Sequence, residues 1–218
     1  MFGGRRRRRE DELAALDRVR TARKLMDEDV TVLGEQVAEL HVDTLADHLD
    51  TTASDHYRRA LENYDQAKQL LAASETVEDV IAIEQVVADA RYHRAAVLAV
   101  IAGEPPPERR EPCFFNPQHG PSRQDVDWTP PGGVARSIPV CAADARALAA
   151  GDEPLVRMVR VGDRWVPWHQ AGSITGAIDA GAQLAKSTGH GVHGQQNLAQ
   201  AYLNQSLGGS VDRGGFGV

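Results

Sequence analysis

From Glu10 to Ala102 the chain contains no proline and a single glycine, Gly34. Proline and glycine end helices and open turns, so their absence over so long a stretch excludes a turn-rich β architecture and leaves helix. The chain has 218 residues and two cysteines, Cys113 and Cys141, which excludes a disulfide framework. Aromatics make up 5% of it, and all three tryptophans (Trp128, Trp165, Trp168) fall in one short segment. No run of 18 apolar residues occurs, so no membrane-spanning helix is expected. Arg5–Arg9 resembles the charged start of a secretory signal, but Glu10-Asp11-Glu12 stands where an apolar run should follow. Without an export signal, reduced thiols are expected rather than a Cys113–Cys141 disulfide. The chain reads as cytoplasmic, peripheral to the inner face of the membrane at most.

Basic charge is scarce as well. The net charge is −7, yet residues 1–9 carry five arginines and no acid. Residues 10–102 carry 9 basic against 20 acidic side chains, and residues 103–218 carry 10 against 11. Phosphate affinity requires a basic face of some size, so nucleic-acid binding is not favoured. An acidic helical chain invites di-iron chemistry, which uses Glu-x-x-His pairs on facing helices. None of His41, His48, His56 or His93 has an acid three residues before it, and that chemistry is excluded.

What is present is helical periodicity. Apolar residues recur at Ala15, Val19, Ala22, Met26, Val30, Leu33, Val37 and Leu40, in steps of four and three that place them on one stripe. Two successive steps of four at Ala22–Met26–Val30 locally unwind a left-handed supercoil. One helix over residues 10–50 would be about 60 Å long and could not stand without a partner. Thr51, Thr52 and Ser54 mark a bend or turn before a second helix with Tyr57, Leu61, Tyr64, Ala67 and Leu71 on one face. Ser74 or Thr76 can cap a third helix, and Thr76-Val-Glu-Asp79 resembles a capping box with Asp for Glu. That helix carries Val80, Ile83, Val87, Leu98 and Ile101, and Gly103 is placed to terminate it.

Prolines at 105, 106, 107 and 112 make residues 103–112 a stiff extended linker. Residues 113–170 read as a small β-rich unit. Gln124–Trp128 and Ser137–Val140 flank the Pro130-Pro131-Gly132-Gly133 turn, and Leu155–Val161 with Arg164–Trp168 form a hairpin across Gly162-Asp163. Residues 171–218 are rich in glycine and small polar side chains and read as a flexible tail. Short helices are expected at Ile174–Leu184 and Asn197–Leu207, with disorder from Gly208.

The two cysteines frame one pattern: Cys113-x5-His119, then Cys141-x2-Asp144 opening a short helical run. Thiolate and imidazole are good Zn²⁺ ligands, and structural zinc sites draw two ligands from each of two short stretches. A knuckle, a β-hairpin and two ligands on the first turn of a helix is the order in which treble-clef zinc modules are built. A unit this small buries too little apolar surface to be comfortable without such support. Asp144 is the weakest of the four, and His169 is the substitute fourth ligand. The alternative is that both cysteines are small buried hydrophobes and His119 a turn residue. Cys113 and His119 as nucleophile and base would need an oxyanion loop that the sequence does not offer. Gly189-His-Gly191-Val-His-Gly194 has the letters of a dinucleotide fingerprint, but no strand precedes it and too little chain follows it. Arg5–Arg9 is a basic arm that could touch anionic headgroups, weakly, for want of an apolar anchor.

The strings Cys113-Phe-Phe-Asn-Pro-Gln-His-Gly-Pro121, Val140-Cys141-Ala-Ala-Asp144-Ala145 and Arg164-Trp-Val-Pro-Trp168 resemble a bacterial family in which an acidic helical region leads into a Cys-Phe-x-x-Pro-x-His-Gly-Pro … Val-Pro-x-Cys-Ala-x-Asp-Ala module. Some of its members resemble the cytoplasmic part of membrane proteins carrying a TPM domain. The resemblance covers about residues 50–170, without a TPM domain or membrane helix here. It implies an architecture and a non-enzymatic, envelope-associated role, and no reaction.

The expected protein is thus of the α+β class: a basic arm (1–9), a long antiparallel helical hairpin or three-helix coiled coil (10–102), a proline linker (103–112), a treble-clef-like zinc module (113–170) and a tail (171–218). Its expected function is binding or scaffolding through the helical surface, with a protein partner or a second copy covering stripes too long to bury internally. The competing readings are a metal-dependent or thiol hydrolase with its site in residues 113–170, and a membrane-surface adaptor using Arg5–Arg9.

Overall fold

The computed structural model describes residues 3–44, 49–161 and 164–187. Three long helices form the body: α1 (Gly3–Thr44), α2 (Thr51–Ala73) and α3 (Val77–Ile101). Two antiparallel hairpins follow, β1 (Gln124–Trp128) with β2 (Arg136–Val140), and β3 (Met158–Val161) with β4 (Arg164–Pro167). Helix α4 (Ala142–Ala150) lies between the hairpins, and α5 (Trp168–Ala171) and α6 (Ile174–Ser187) follow them. No described helix is long and apolar enough to cross a membrane.

The helix ends obey local chemistry. The Asp50 carboxylate accepts from the Ala53 amide at 2.7 Å and caps α2, so the break expected at Thr51 sits one residue earlier. Thr76 and Asp79 form the expected reciprocal capping box on α3. Gly103, at φ +75°, stops α3: its amide donates to Val100 and that of Glu104 to Ala99, which satisfies two orphan carbonyls. Arg5–Arg9 do not form a separate arm. They are early turns of α1, where arginine is a good helix former and Arg6 pairs with Glu10 at 2.9 Å.

The α1 stripe is buried from Ala22 through Leu25, Met26, Val30, Leu33 and Val37 to Leu40. It packs on α2 and α3, which supply Ala67, Leu71, Val80, Ile83, Val87 and Ala90. Gly34 lets the Tyr64 ring approach α1 closely: a Cβ there would stand 2.7 Å from the hydroxyl, and the ring would have to shift. Residues 22–40 of the α1 stripe are covered within the chain. Val159, Val166, Trp168, Ile174, Ala177 and Ile178 join the same core. Val159 and Val166 are paired across the β3–β4 ladder and so share one face, while Ile174, Ala177 and Ile178 make a helical i, i+3, i+4 stripe.

The division of the C-terminal half is therefore different from the expected one. A second, small core holds Cys113, Phe115, Ile138, Val140, Cys141 and Ala145, with Val156 at its edge. The unit read as residues 113–170 is split between two cores, because a lone two-stranded hairpin has too little surface to build its own. The segment read as a tail contributes α6 to the large core. The expected Asn197–Leu207 helix, the Gly208–Val218 segment and the Gly189–Gly194 motif lie outside the described residues.

A buried ion cluster joins the two parts. Asp29 of α1 accepts from Arg91 of α3 at 2.8 Å and from Arg157, just before β3, at 3.0 Å. Gln118 donates to the same carboxylate at 3.2 Å. The linker is docked rather than free: Arg109 pairs with Asp89 and lies over the Tyr92 ring, and Arg110 pairs with Asp125.

Arg109 also reaches His93 Nε2 at 3.5 Å, and His93 Nδ1 meets His56 Nδ1 at 2.8 Å across the α2–α3 seam. A guanidinium only donates, so this arrangement needs His93 neutral, with its proton on Nδ1. Burial first, then the neighbouring His56 and Arg109, lower the His93 pKa to about 4. An unfolded histidine titrates near about 6.5, so the folded chain binds this proton more weakly than the unfolded chain. Stability is accordingly full above that value and falls as the pH drops from 6.5 towards 4. Urea midpoints across this window are expected to decline in the parent and to decline less in His93→Leu. Equal slopes in the two would exclude the pair as the cause.

Candidate metal centre

The four residues that the sequence singles out come together. Residues Cys113 to Gly120 form a tight turn closed by the Cys113 amide donating to the Gly120 carbonyl at 3.0 Å. Within it, Pro117–His119 is a single 3₁₀ turn whose first amide is capped by Asn116 Oδ1 at 3.0 Å. Gly120 takes φ +89°, a conformation other residues rarely adopt, and lets the chain double back so that Cys113 and His119 face one side. The β1–β2 hairpin then returns the chain to Cys141, the N-cap of α4, whose sulfur accepts from the Asp144 amide at 3.4 Å. Cys141 and Asp144 hold the N-cap and N3 positions of α4, and the cap uses a thiol in place of the usual hydroxyl. That relation is the physical content of their spacing of three.

The donor atoms of Cys113, His119, Cys141 and Asp144 lie within 4.8 Å of one another. Asp144 Oδ2 stands 3.0 Å from Cys113 Sγ, 3.0 Å from His119 Nδ1 and 3.4 Å from Cys141 Sγ. Cys141 Sγ is 3.5 Å from His119 Nδ1. A tetrahedron with Zn–S near 2.3 Å and Zn–N or Zn–O near 2.0 Å has edges of about 3.3–3.8 Å. The four residues are thus close enough to hold a metal ion, and the donor set is compatible with zinc. A second layer fixes them: the Leu155 amide donates to Asp144 Oδ1 at 3.1 Å, and the Asn116 side chain meets His119 Nε2 at 3.2 Å.

The protonation pattern is that of a ligand set sharing protons. The Cys113 thiol is pushed up, first by its contact with Cys141 and then by burial. Cys141 is drawn down to about 5, first by the same contact, against burial, with help from His119. His119 rises to about 9 through its hydrogen bonds to Asp144 and Cys141. Burial would raise Asp144, but its bonds from His119, Cys113 and Leu155 outweigh that and hold it below the usual carboxylate range.

His169 does not join the cluster. Its ring packs among Phe114, Phe115 and Trp128, with centroids 5.3–5.9 Å away, and its Nδ1 is buried without a hydrogen-bond partner. Phe115 is fully buried and Arg136 lies over Phe114 and Trp128, so this aromatic block walls the small core. The geometry gives no support to Cys113 and His119 as nucleophile and base, a pairing the sequence did not favour. Asp144 lies between them, and the sulfur beside His119 is that of Cys141. Sequence reasoning missed Asn116 and the Asp29–Arg91–Arg157–Gln118 cluster, which grips the same turn from the helical side. The Asn116-Pro117 pair is a turn signal that could have pointed to the first.

No family model matches this chain, and no curated protein or solved structure is detectably similar to it.

Proposed function

We propose that this protein is a non-enzymatic binding or scaffolding protein. In this reading its helical body presents the working surface, and a treble-clef-like module is held in shape by one structural zinc ion. The observation that carries this is the donor set: Cys113, His119, Cys141 and Asp144 each offer one ligand atom within 4.8 Å of the others, enough to fill the four positions of a structural zinc ion. Catalytic zinc keeps one position open, so four protein ligands on one ion would speak against metal-assisted hydrolysis. Cys113, at 1% exposure with a raised pKa, is the wrong thiol for a nucleophile. A docking role is supported by the first turns of α1, exposed from Arg5 to Asp17, with Leu13 and Leu16 standing 59% and 57% exposed. The same turns carry Arg5–Arg9, which suits contact with an acidic partner or an anionic surface, and the resemblance to the TPM-associated family favours an envelope-associated setting.

Metal analysis of protein purified without chelator is expected to give one zinc per chain, and Cys141→Ala is expected to give none. Loading zinc near neutral pH is expected to release about two protons, from the Cys113 thiol and the His119 imidazolium. Metal-free parent protein whose Cys141 alkylates rapidly at pH 6 would overturn the reading in favour of thiol chemistry. Light scattering on the same preparation reads the partner. A dimer makes it a second copy, and a strict monomer at high concentration makes it a different protein.

A further inference from the structure

Beside the metal cluster, an open cleft of about 460 Å³ runs between α3 and the first turn of α4. On α3 it is lined by Ala95, Leu98 and Ala99 beside Arg91 and Arg94, and the turn ending in Gly120 also borders it. Arg94 of α3, Arg123 just before β1 and Arg146 of α4 line it together with the Asp29-paired Arg91, against one acid, Glu104. In an acidic chain this convergence is unexpected, because most buried or docked arginines here have a carboxylate: Arg91 and Arg157 on Asp29, Arg109 on Asp89, Arg110 on Asp125. Arg123 and Arg146 are exposed, and among the described residues neither has an ion-pair partner. Arg94 is held in place by the Gln36 carbonyl at 3.1 Å and by Glu39 at 3.5 Å.

The cleft also receives the start of α4. Ala142 and Ala143 line it and carry first-turn amides that have no partner inside the helix. The nine-residue helix places its positive end at this side of the cleft. Several guanidiniums and a helix N-terminus around one cleft that also has Ala95, Leu98 and Ala99 in its lining match one ligand chemistry. We propose that this cleft binds a small organic oxyanion, a phosphate or a carboxylate, carried on a short apolar stem that lies along Leu98 and Ala99. The site goes beyond the zinc and scaffold reading, and it borders the metal cluster, since His119 and Cys141 also line the cleft.

The test is a titration of the full zinc-loaded chain with butyl phosphate, inorganic phosphate and butyrate, followed through the amide signals of Gly120, Ala142 and Ala143. Saturable shifts at those amides are expected. The Arg123→Gln/Arg146→Gln double variant is expected to weaken binding roughly tenfold or more. Both side chains are exposed, and the zinc content and circular dichroism of the variant are expected to equal those of the parent. Butyl phosphate binding more tightly than inorganic phosphate supports the apolar stem, and the better of butyl phosphate and butyrate identifies the headgroup. No saturable shift up to tens of millimolar, or binding of equal strength in the double variant, overturns the proposal.

Discussion

Chelating the metal from the loaded protein is expected to unfold the small core and leave the helical one standing. The small core draws on about 45 residues, from Pro112 to Val156, and a unit of that size supplies at most about 3–5 kcal/mol by itself. Bound zinc contributes on the order of 10 kcal/mol of apparent folding free energy in comparable modules. The metal term is larger than what the core supplies, so the core should follow the metal. Nothing similar ties α1–α3, whose shared interior of leucine, isoleucine, valine and alanine is remote from the cluster. The three tryptophans report separately: Trp128 packs on the small core, Trp168 is buried in the large one, and Trp165 is 42% exposed. Removing zinc should therefore collapse the Trp128 indole signal towards its random-coil position while Trp168 keeps its shift and the helical circular dichroism persists. Retention of all three signals after verified zinc loss would make the cluster a passenger, and joint collapse would make the chain one cooperative unit.

The parts of this architecture that could be read from sequence are those set by neighbours. The Thr76–Asp79 box, the Gly103 terminator and the Cys141–Asp144 pair depend on residues within a turn of one another, and each is found where it was expected. Cys113 and His119 are brought together by a turn whose proline, asparagine and glycine are visible in the string itself. His169 shows where such reasoning stops. It is close in sequence to the β4 strand and offers a good ligand atom, yet its direction is set by aromatic packing against Phe114, Phe115 and Trp128. The same holds for Val159 and Val166. Their alternation predicts a strand face correctly, but which of two cores that face meets depends on α1 and α6. The cover that α6 gives the α1 stripe was not foreseen. Ile174, Ala177 and Ile178 have helical spacing, and the small polar residues around them disguised it.

Asp29 was invisible for a stronger reason. In sequence it is one more acid beside Asp27 and Glu28 on an acidic helix, and its partners are 62 and 128 residues away. In the fold it is 6% exposed and holds two guanidiniums that are themselves buried, at 4% and 7%. Asp29→Ala is therefore expected to cost about 3–5 kcal/mol, because it removes the carboxylate that both charges share and leaves them desolvated. The native cluster is not thereby a large net stabiliser. Replacing all three members together (Asp29→Leu, Arg91→Met, Arg157→Met) should recover most of the loss in urea melts. The pH dependence has a definite sign. Burial would raise the Asp29 pKa, but Arg91 and Arg157 outweigh it, so the folded-state value lies below the ordinary one. The folded chain binds that proton more weakly than the unfolded chain, and the contribution of Asp29 is complete above about pH 4 and lost as the pH falls through the lowered value. The parent should therefore lose stability steeply below pH 4, and the triple variant should lose less. The consequence extends to the metal, because Gln118 donates to Asp29 one residue before His119, and the Arg157 amide donates to the Phe115 carbonyl inside the same turn. Asp29→Ala should thus weaken zinc retention as well as folding, although Asp29 touches none of the four ligands. A variant with reduced urea stability and unchanged zinc affinity would show that the turn holds its shape without the helical body.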